Sequence, residues 1–130
     1  MARARNILVA DDDPESLQRA RAVLEAEGFR VTTARDGDEA LSKLRVAPPD
    51  LVLLDIIMPH RNGYQVCRAL RADPALRGLP VLFVSLKSQP SDRFWAKRVG
   101  ADGFVAKPYD PADLVREVVA LLQGAGTRAS

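Results

Sequence analysis

The chain has 130 residues, 47% of them hydrophobic and 28% charged, a balance that suits one folded domain with a real core and excludes disorder and a membrane-spanning protein. Lys and Arg number 19 against 17 Asp and Glu, and the basic residues are scattered from Arg3 to Arg128, so no direct nucleic-acid footprint is expected. The opening Met-Ala-Arg-Ala-Arg-Asn meets a strand-length apolar run without a signal peptide's long apolar region, and Cys67 has no second cysteine to pair with, so the expected compartment is the cytoplasm.

Strand-length apolar runs alternate with helix-length amphipathic segments from one end of the chain to the other, which predicts a parallel sheet with crossover helices. The first strand falls near Asn6 to Ala10 and is closed by Asp11, Asp12 and Asp13. Asp13-Pro14 then offers a side-chain acceptor followed by proline in the first helical position, a helix start, and Leu17, Ala20 and Leu24 recur along one face of that helix. Gly28 suits its end. A second strand near Arg30 to Ala34 leads to Asp36 and Glu39, which have capping-box spacing. The third run, Leu51 to Leu54, is closed by Asp55; the fourth, Val81 to Val84, by Ser85; and the fifth, Gly103 to Ala106, by Lys107-Pro108. Asp110-Pro111 opens a last helix with Leu114, Val118, Leu121 and Leu122 on one face, and residues 124–130 are small and polar, a flexible C-terminal tail.

Acid at the end of a buried strand is the chemically informative pattern. In open α/β sheets ligands bind beyond the carboxyl ends of the strands, and the doubly wound order 2-1-3-4-5 sets the first and third strands side by side. Asp11, Asp12 and Asp55 then share one crevice, where each like pair at ~5 Å costs roughly 3 kcal/mol at an effective dielectric of about 20. Oxygen-rich clusters of this kind suit Mg²⁺, which keeps several waters and takes a substrate phosphate as well. Ser85 and Lys107 arrive at the same edge, so a hydroxyl and an ammonium complete an anion site, with Asp55 the natural nucleophile for a phosphoryl group. No Gly-x-x-x-x-Gly-Lys-Ser/Thr occurs, so the donor is another protein or a small molecule.

The strings ILVADDD, LLDIIMP, NGYQVCRAL, PVLFVS and GADGFVAKP, in this order and spacing, resemble the receiver domain of two-component response regulators, the CheY-like superfamily. The resemblance runs from about Ile7 to Leu122 and implies a flavodoxin-like (βα)5 fold, with a receiver domain over 1–123. It implies that Asp55 accepts a phosphoryl group from a histidine kinase or phosphotransfer protein. Asp12, Asp55 and the backbone carbonyl of Ile57 would hold Mg²⁺, with Asp11 acting through water. Lys107 would pair with the carboxylate and then with the phosphoryl group, its bond to Pro108 being cis. Ser85 would bind a phosphoryl oxygen, and Phe104 would be the switch aromatic that moves inward with it. The output would be a protein-binding face built by the fourth helix, fifth strand and last helix, not an independent enzyme activity and not a DNA-binding domain. The stretch SLKSQPSDRFWAKRVGADGF is similar to that of stand-alone regulators of twitching-motility and chemotaxis-like systems.

Two positions depart from the family pattern. Leu86 stands where a small residue is usual, so its bulk is expected to narrow the entrance to the site. Phe104 lacks the hydroxyl of a tyrosine and signals by packing alone. Leu86 also motivates an alternative, a receiver-shaped binding module that works without phosphorylation. A metal-dependent hydrolase is disfavoured, because Ile57 stands two places after Asp55 where such an enzyme needs a second aspartate. Trp95, on the predicted fourth helix, is either a partner contact or a core anchor, with Phe94 expected to face elsewhere. His60 is expected at the surface, and Cys67 in the core.

Overall fold

The computed structural model describes residues 4–128. Five strands, β1 (Asn6–Ala10), β2 (Arg30–Ala34), β3 (Leu51–Leu54), β4 (Val81–Ser85) and β5 (Gly103–Ala106), alternate with five helices, α1 (Pro14–Ala26), α2 (Gly37–Val46), α3 (Gly63–Ala72), α4 (Pro90–Arg98) and α5 (Pro111–Arg128). The strands form one sheet in the order β2-β1-β3-β4-β5, every pair parallel. This is the predicted flavodoxin-like arrangement. It follows from aliphatic strands too apolar to face water on either side, which only helices on both faces can cover.

Side-chain alternation along each strand divides the core in two. Leu8, Ala10, Val52, Leu54, Val81 and Phe83 pack with Leu41 and Leu44 of α2, Val66, Cys67 and Leu70 of α3, and Ala96 of α4. Ile7, Val9, Leu51, Leu53, Leu82, Val84 and Val105 pack with Leu17, Ala20 and Leu24 of α1 and Leu114, Val118 and Leu122 of α5.

The caps follow the sequence with one change. Asp13 accepts from the Ser16 N–H at 3.2 Å and Asp36 from the Glu39 N–H at 2.8 Å, but Glu39 accepts from the N–H of Arg35, at 2.8 Å, instead of closing a box on Asp36. Gly28 and Gly100 have φ of 88° and 104°, the left-handed region open to glycine at helix ends. The backbone over 124–128, expected as tail, continues α5. Each glycine there costs only about 1 kcal/mol relative to alanine, and no proline stops the helix. Residues 129–130 lie outside those described.

One organising residue was not anticipated. Arg71, at the end of α3, donates to the carbonyls of Gly100, Arg77 and Leu79 and to the Asp102 carboxylate. It thereby ties α3 and the loop after it to the turn before β5. Beside it, Cys67 is fully buried, its thiol donating to the Val99 carbonyl at 3.5 Å. Burial pushes this thiol up from 9.0 to about 11, with Arg71 pulling the other way and Asp102 adding to the rise. Between those two pH values the folded chain keeps a proton that the unfolded chain has lost. Stability relative to a Cys67→Ala variant is therefore expected to fall by about 1.4 kcal/mol per pH unit over that window, measured by urea unfolding. At pH 8 a thiol reagent is expected to modify Cys67 only in denaturant.

Candidate functional site

Register brings the chemistry together. Ala10 is level with Leu54, so Asp11 and Asp55, one residue further along, leave adjacent strands side by side. The ladder continues through both: Asp11 N–H donates to the Ala34 carbonyl and Asp55 N–H to the Ala10 carbonyl, each at 3.0 Å. On the far side Ser85 is level with Ala106, which carries Lys107 into the same crevice.

Lys107 lies between the two carboxylates. Its ammonium donates to Asp11 Oδ2 at 2.6 Å and to Asp55 Oδ2 at 2.7 Å, and the three side chains are 12%, 7% and 11% exposed. Burial alone would favour neutral lysine, but the hydrogen bonds and negative charges of Asp11 and Asp55 outweigh it and raise the pKa above 10.5. Lys107 is thus a cation throughout the neutral range. The other Asp55 oxygen, Oδ1, accepts from the buried Ser85 hydroxyl at 2.8 Å and the Ile57 N–H at 3.2 Å. Asp11 Oδ1 accepts from the Asp13 N–H at 3.0 Å. The Lys107–Pro108 peptide is cis.

Above these groups is a cleft of about 360 Å³, lined by Asp11, Asp12, Asp13, Ser16, Arg19, Asp55, Ile57, Ser85, Leu86, Lys107 and Pro108. All the expected groups except Phe104 meet there. Asp12 is exposed in its wall. Ser16 and Arg19, one helical turn into α1, were missed by sequence reasoning, although their offset from Asp12 places them on the adjoining turn. Leu86 is 73% exposed, at the mouth of the cleft rather than plugging it. Gly63, the first residue of α3, approaches so closely that a Cβ would collide with the Asp55 carbonyl and the Phe83 ring.

Phe104 lies away from the cleft, half-buried on β5, its ring 6.4 Å from that of Phe83 and 4.7 Å from the Arg93 guanidinium. Trp95 and Phe94 are 51% and 58% exposed. Trp95 is therefore no core anchor. The two rings, expected to diverge, meet edge to face with centroids 5.3 Å apart, because α4 buries only Asp92 and Ala96 and leaves both aromatics on its outer side. His60 is exposed in the turn after Asp55, with φ 68°.

The family profile of the response regulator receiver domain matches residues 7–119. The chain belongs to this family. The receiver is 38% identical to the PilH protein of Pseudomonas aeruginosa, covering 91% of this chain and 98% of that one. It is 42% identical to the DNA-binding response regulator MtrA of Mycolicibacterium smegmatis over 92% of this chain and 51% of MtrA, so it spans about half that relative's length. Among solved structures, the signal receiver domain of a signal transduction histidine kinase from Syntrophus aciditrophicus superposes with a TM-score of 0.87 at 36% identity, covering 93% of this chain and 92% of that one.

Receiver domains of this family typically bind Mg²⁺. Among the described residues no three His, Cys, Asp or Glu side chains gather tightly enough to cage a metal unaided. Mg²⁺ demands few protein ligands and retains water. The donors at the cleft are hard oxygens, and four carboxylates (Asp11, Asp12, Asp13 and Asp55) line it with two cations, Lys107 and Arg19, a surplus of negative charge that a divalent cation offsets. Replacing Lys107 with methionine leaves Asp11 and Asp55 buried without their counter-charge. Lys107→Met is expected to lower stability by about 3 kcal/mol in chelator, with part of the loss restored by millimolar Mg²⁺, as read from urea unfolding.

Proposed function

We propose that this receiver accepts a phosphoryl group on Asp55 from a histidine kinase or phosphotransfer protein, in a Mg²⁺-dependent phosphorelay, and that the modification switches a protein-interaction face. The observation that carries the reading is the environment of the Asp55 carboxylate. At the floor of an open cleft, Lys107, Ser85 and the Ile57 N–H fix both of its oxygens.

In the transfer, an Asp55 carboxylate oxygen forms a bond to phosphorus as the bond from phosphorus to the donor's imidazole nitrogen breaks. The electron pair of that bond leaves with the nitrogen, and the product is an acyl phosphate. Lys107 gives up part of its contact with Asp55 to neutralise the incoming phosphoryl oxygens, while Asp11 keeps the ammonium in place. The Ser85 hydroxyl, freed from Oδ1, donates to one of those oxygens. Asp12, Asp55 and the Ile57 carbonyl would hold Mg²⁺. Held there, the ion would supply positive charge that offsets the phosphoryl oxygens. Asp11 has Oδ2 committed to Lys107 and Oδ1 to the Asp13 N–H, which supports its role through water rather than as a direct ligand.

The output face assigned to α4, β5 and α5 presents the Phe94–Trp95 pair, a form of exposed apolar surface that suits a protein target. Among the described residues no helix is long and apolar enough to cross a membrane, and a cytoplasmic setting agrees with this. Phe104, packed between Phe83 and Arg93, is assigned as the switch that follows Ser85.

The test is to incubate the protein with Mg²⁺ and either acetyl phosphate or a phosphorylated kinase, and to weigh it. A gain of one phosphoryl group, abolished in Asp55→Asn, is the expected result. Failure with both donors would favour the phosphorylation-independent module, and sustained turnover of a phosphate ester a hydrolase. In the same assay Leu86→Ala is expected to react several-fold faster with acetyl phosphate. Equal rates would assign Leu86 no steric part.

A further inference from the structure

Four polar or charged residues are buried among those described: Asp11, Asp55, Ser85 and Asp92. The first three make the site. Asp92 lies outside it, in the first turn of α4. Its Oδ1 accepts from the Lys87 ammonium at 2.5 Å, its Oδ2 from the Gln89 N–H at 2.9 Å, and its carbonyl from the Tyr64 hydroxyl at 3.2 Å. A helix cap alone does not account for this, since Asp13 and Asp36 cap α1 and α2 without being buried.

Lys87 gives the arrangement its second end. The same residue that pairs with Asp92 through its ammonium donates its backbone N–H to Ser85 Oγ at 3.2 Å, and Ser85 Oγ donates to Asp55 Oδ1 at 2.8 Å. An unbroken chain of bonds therefore runs from Asp55 through Ser85 and Lys87 to Asp92. Of the nine residues of α4 only Asp92 and Ala96 are buried, so the helix has few other ties to the core. A hydroxyl that turns from Asp55 to a phosphoryl oxygen must either carry the Lys87 N–H along or release it.

We propose that the Lys87–Asp92 ion pair is a clasp through which the position of the Ser85 hydroxyl reaches the first turn of α4, making Lys87 and Asp92 positioning residues for the Phe94–Trp95 surface. This inference rests on the phosphoryl-acceptor reading of Asp55 and adds a route to the output face distinct from the packing of Phe104. The Lys87 side chain is 48% exposed but that of Asp92 only 4%, so removing the lysine leaves a buried carboxylate without its partner and is expected to lower stability. A purely structural role and a coupling role separate in the emission change on phosphorylation, read on the folded protein of each variant.

Trp95, the chain's only tryptophan, sits three residues past Asp92 and reports on the helix directly. The wild type, Lys87→Met, Asp92→Asn and the conservative Lys87→Arg are treated with Mg²⁺ and acetyl phosphate. Each sample is weighed, and its Trp95 emission and urea midpoint are recorded. Phosphorylation is expected to change the emission of the wild type and of Lys87→Arg, whereas Lys87→Met and Asp92→Asn gain the phosphoryl group but lose about half or more of that change, with the midpoint of Lys87→Met lowered but each variant folded in the absence of urea. A full emission change in both disruptive variants, or none in the phosphorylated wild type, would overturn the clasp. A wild type that gains no phosphoryl group would defeat the underlying reading, and the clasp with it.

Discussion

Parallel pairing of β1 with β3 holds two carboxylates side by side at the edge of an apolar sheet, and that juxtaposition sets the conditions for the rest of the site. Neither Asp11 nor Asp55 can retreat, because each is the next rung of its hydrogen-bond ladder. Lys107, reaching both from the end of β5, makes the arrangement tolerable. Its ionisation is tied to folding. A lysine whose pKa is raised by folding contributes stability that is complete below its unfolded value and is lost as pH rises through the higher folded one. The crevice thus keeps its cation at neutral pH while retaining surplus negative charge for a divalent ion.

The molecule separates what must be rigid from what can respond. β1, β3 and β4 are buried throughout, apart from half-buried Asn6, and Arg71 fastens the far end of α3 to the β5 turn, so the strand ends that present Asp11, Asp55 and Ser85 have little freedom. The loop after Ser85 and helix α4 are held by a few polar contacts and one buried alanine. Low local burial is where a small bias in one hydrogen bond shifts a population. Placing Ser85 on the border between the two regimes gives a single hydroxyl access to both.

The strands, their order and the convergence of Asp11, Asp12, Asp55, Ser85 and Lys107 were legible because they depend on nearly binary features: aliphatic runs, the residue that ends each run, and the handedness of crossovers. The split within the acid triplet was legible for Asp13, since Asp-Pro is a strong helix start. Side-chain traffic between distant loops was not. Arg71, Asp102 and the Lys87–Asp92 pair are ordinary surface residues in composition, and only the fold reveals that they cross between elements. The Phe94–Trp95 contact was misjudged for a related reason: helical periodicity gives directions from the axis, whereas two large rings on a thinly covered helix lean together. The length of α5 past Gly124 shows the opposite limit, glycine being a weak stop without a proline behind it.

Lys107 is held as a shared cation by Asp11 and Asp55. A side-chain NMR titration of the Lys107 ammonium tests it most directly. The structure predicts a pKa above the ordinary 10.5 that falls when Asp55 is changed to asparagine. A value at or below 10.5 in the wild type, or one indifferent to Asp55, would contradict it.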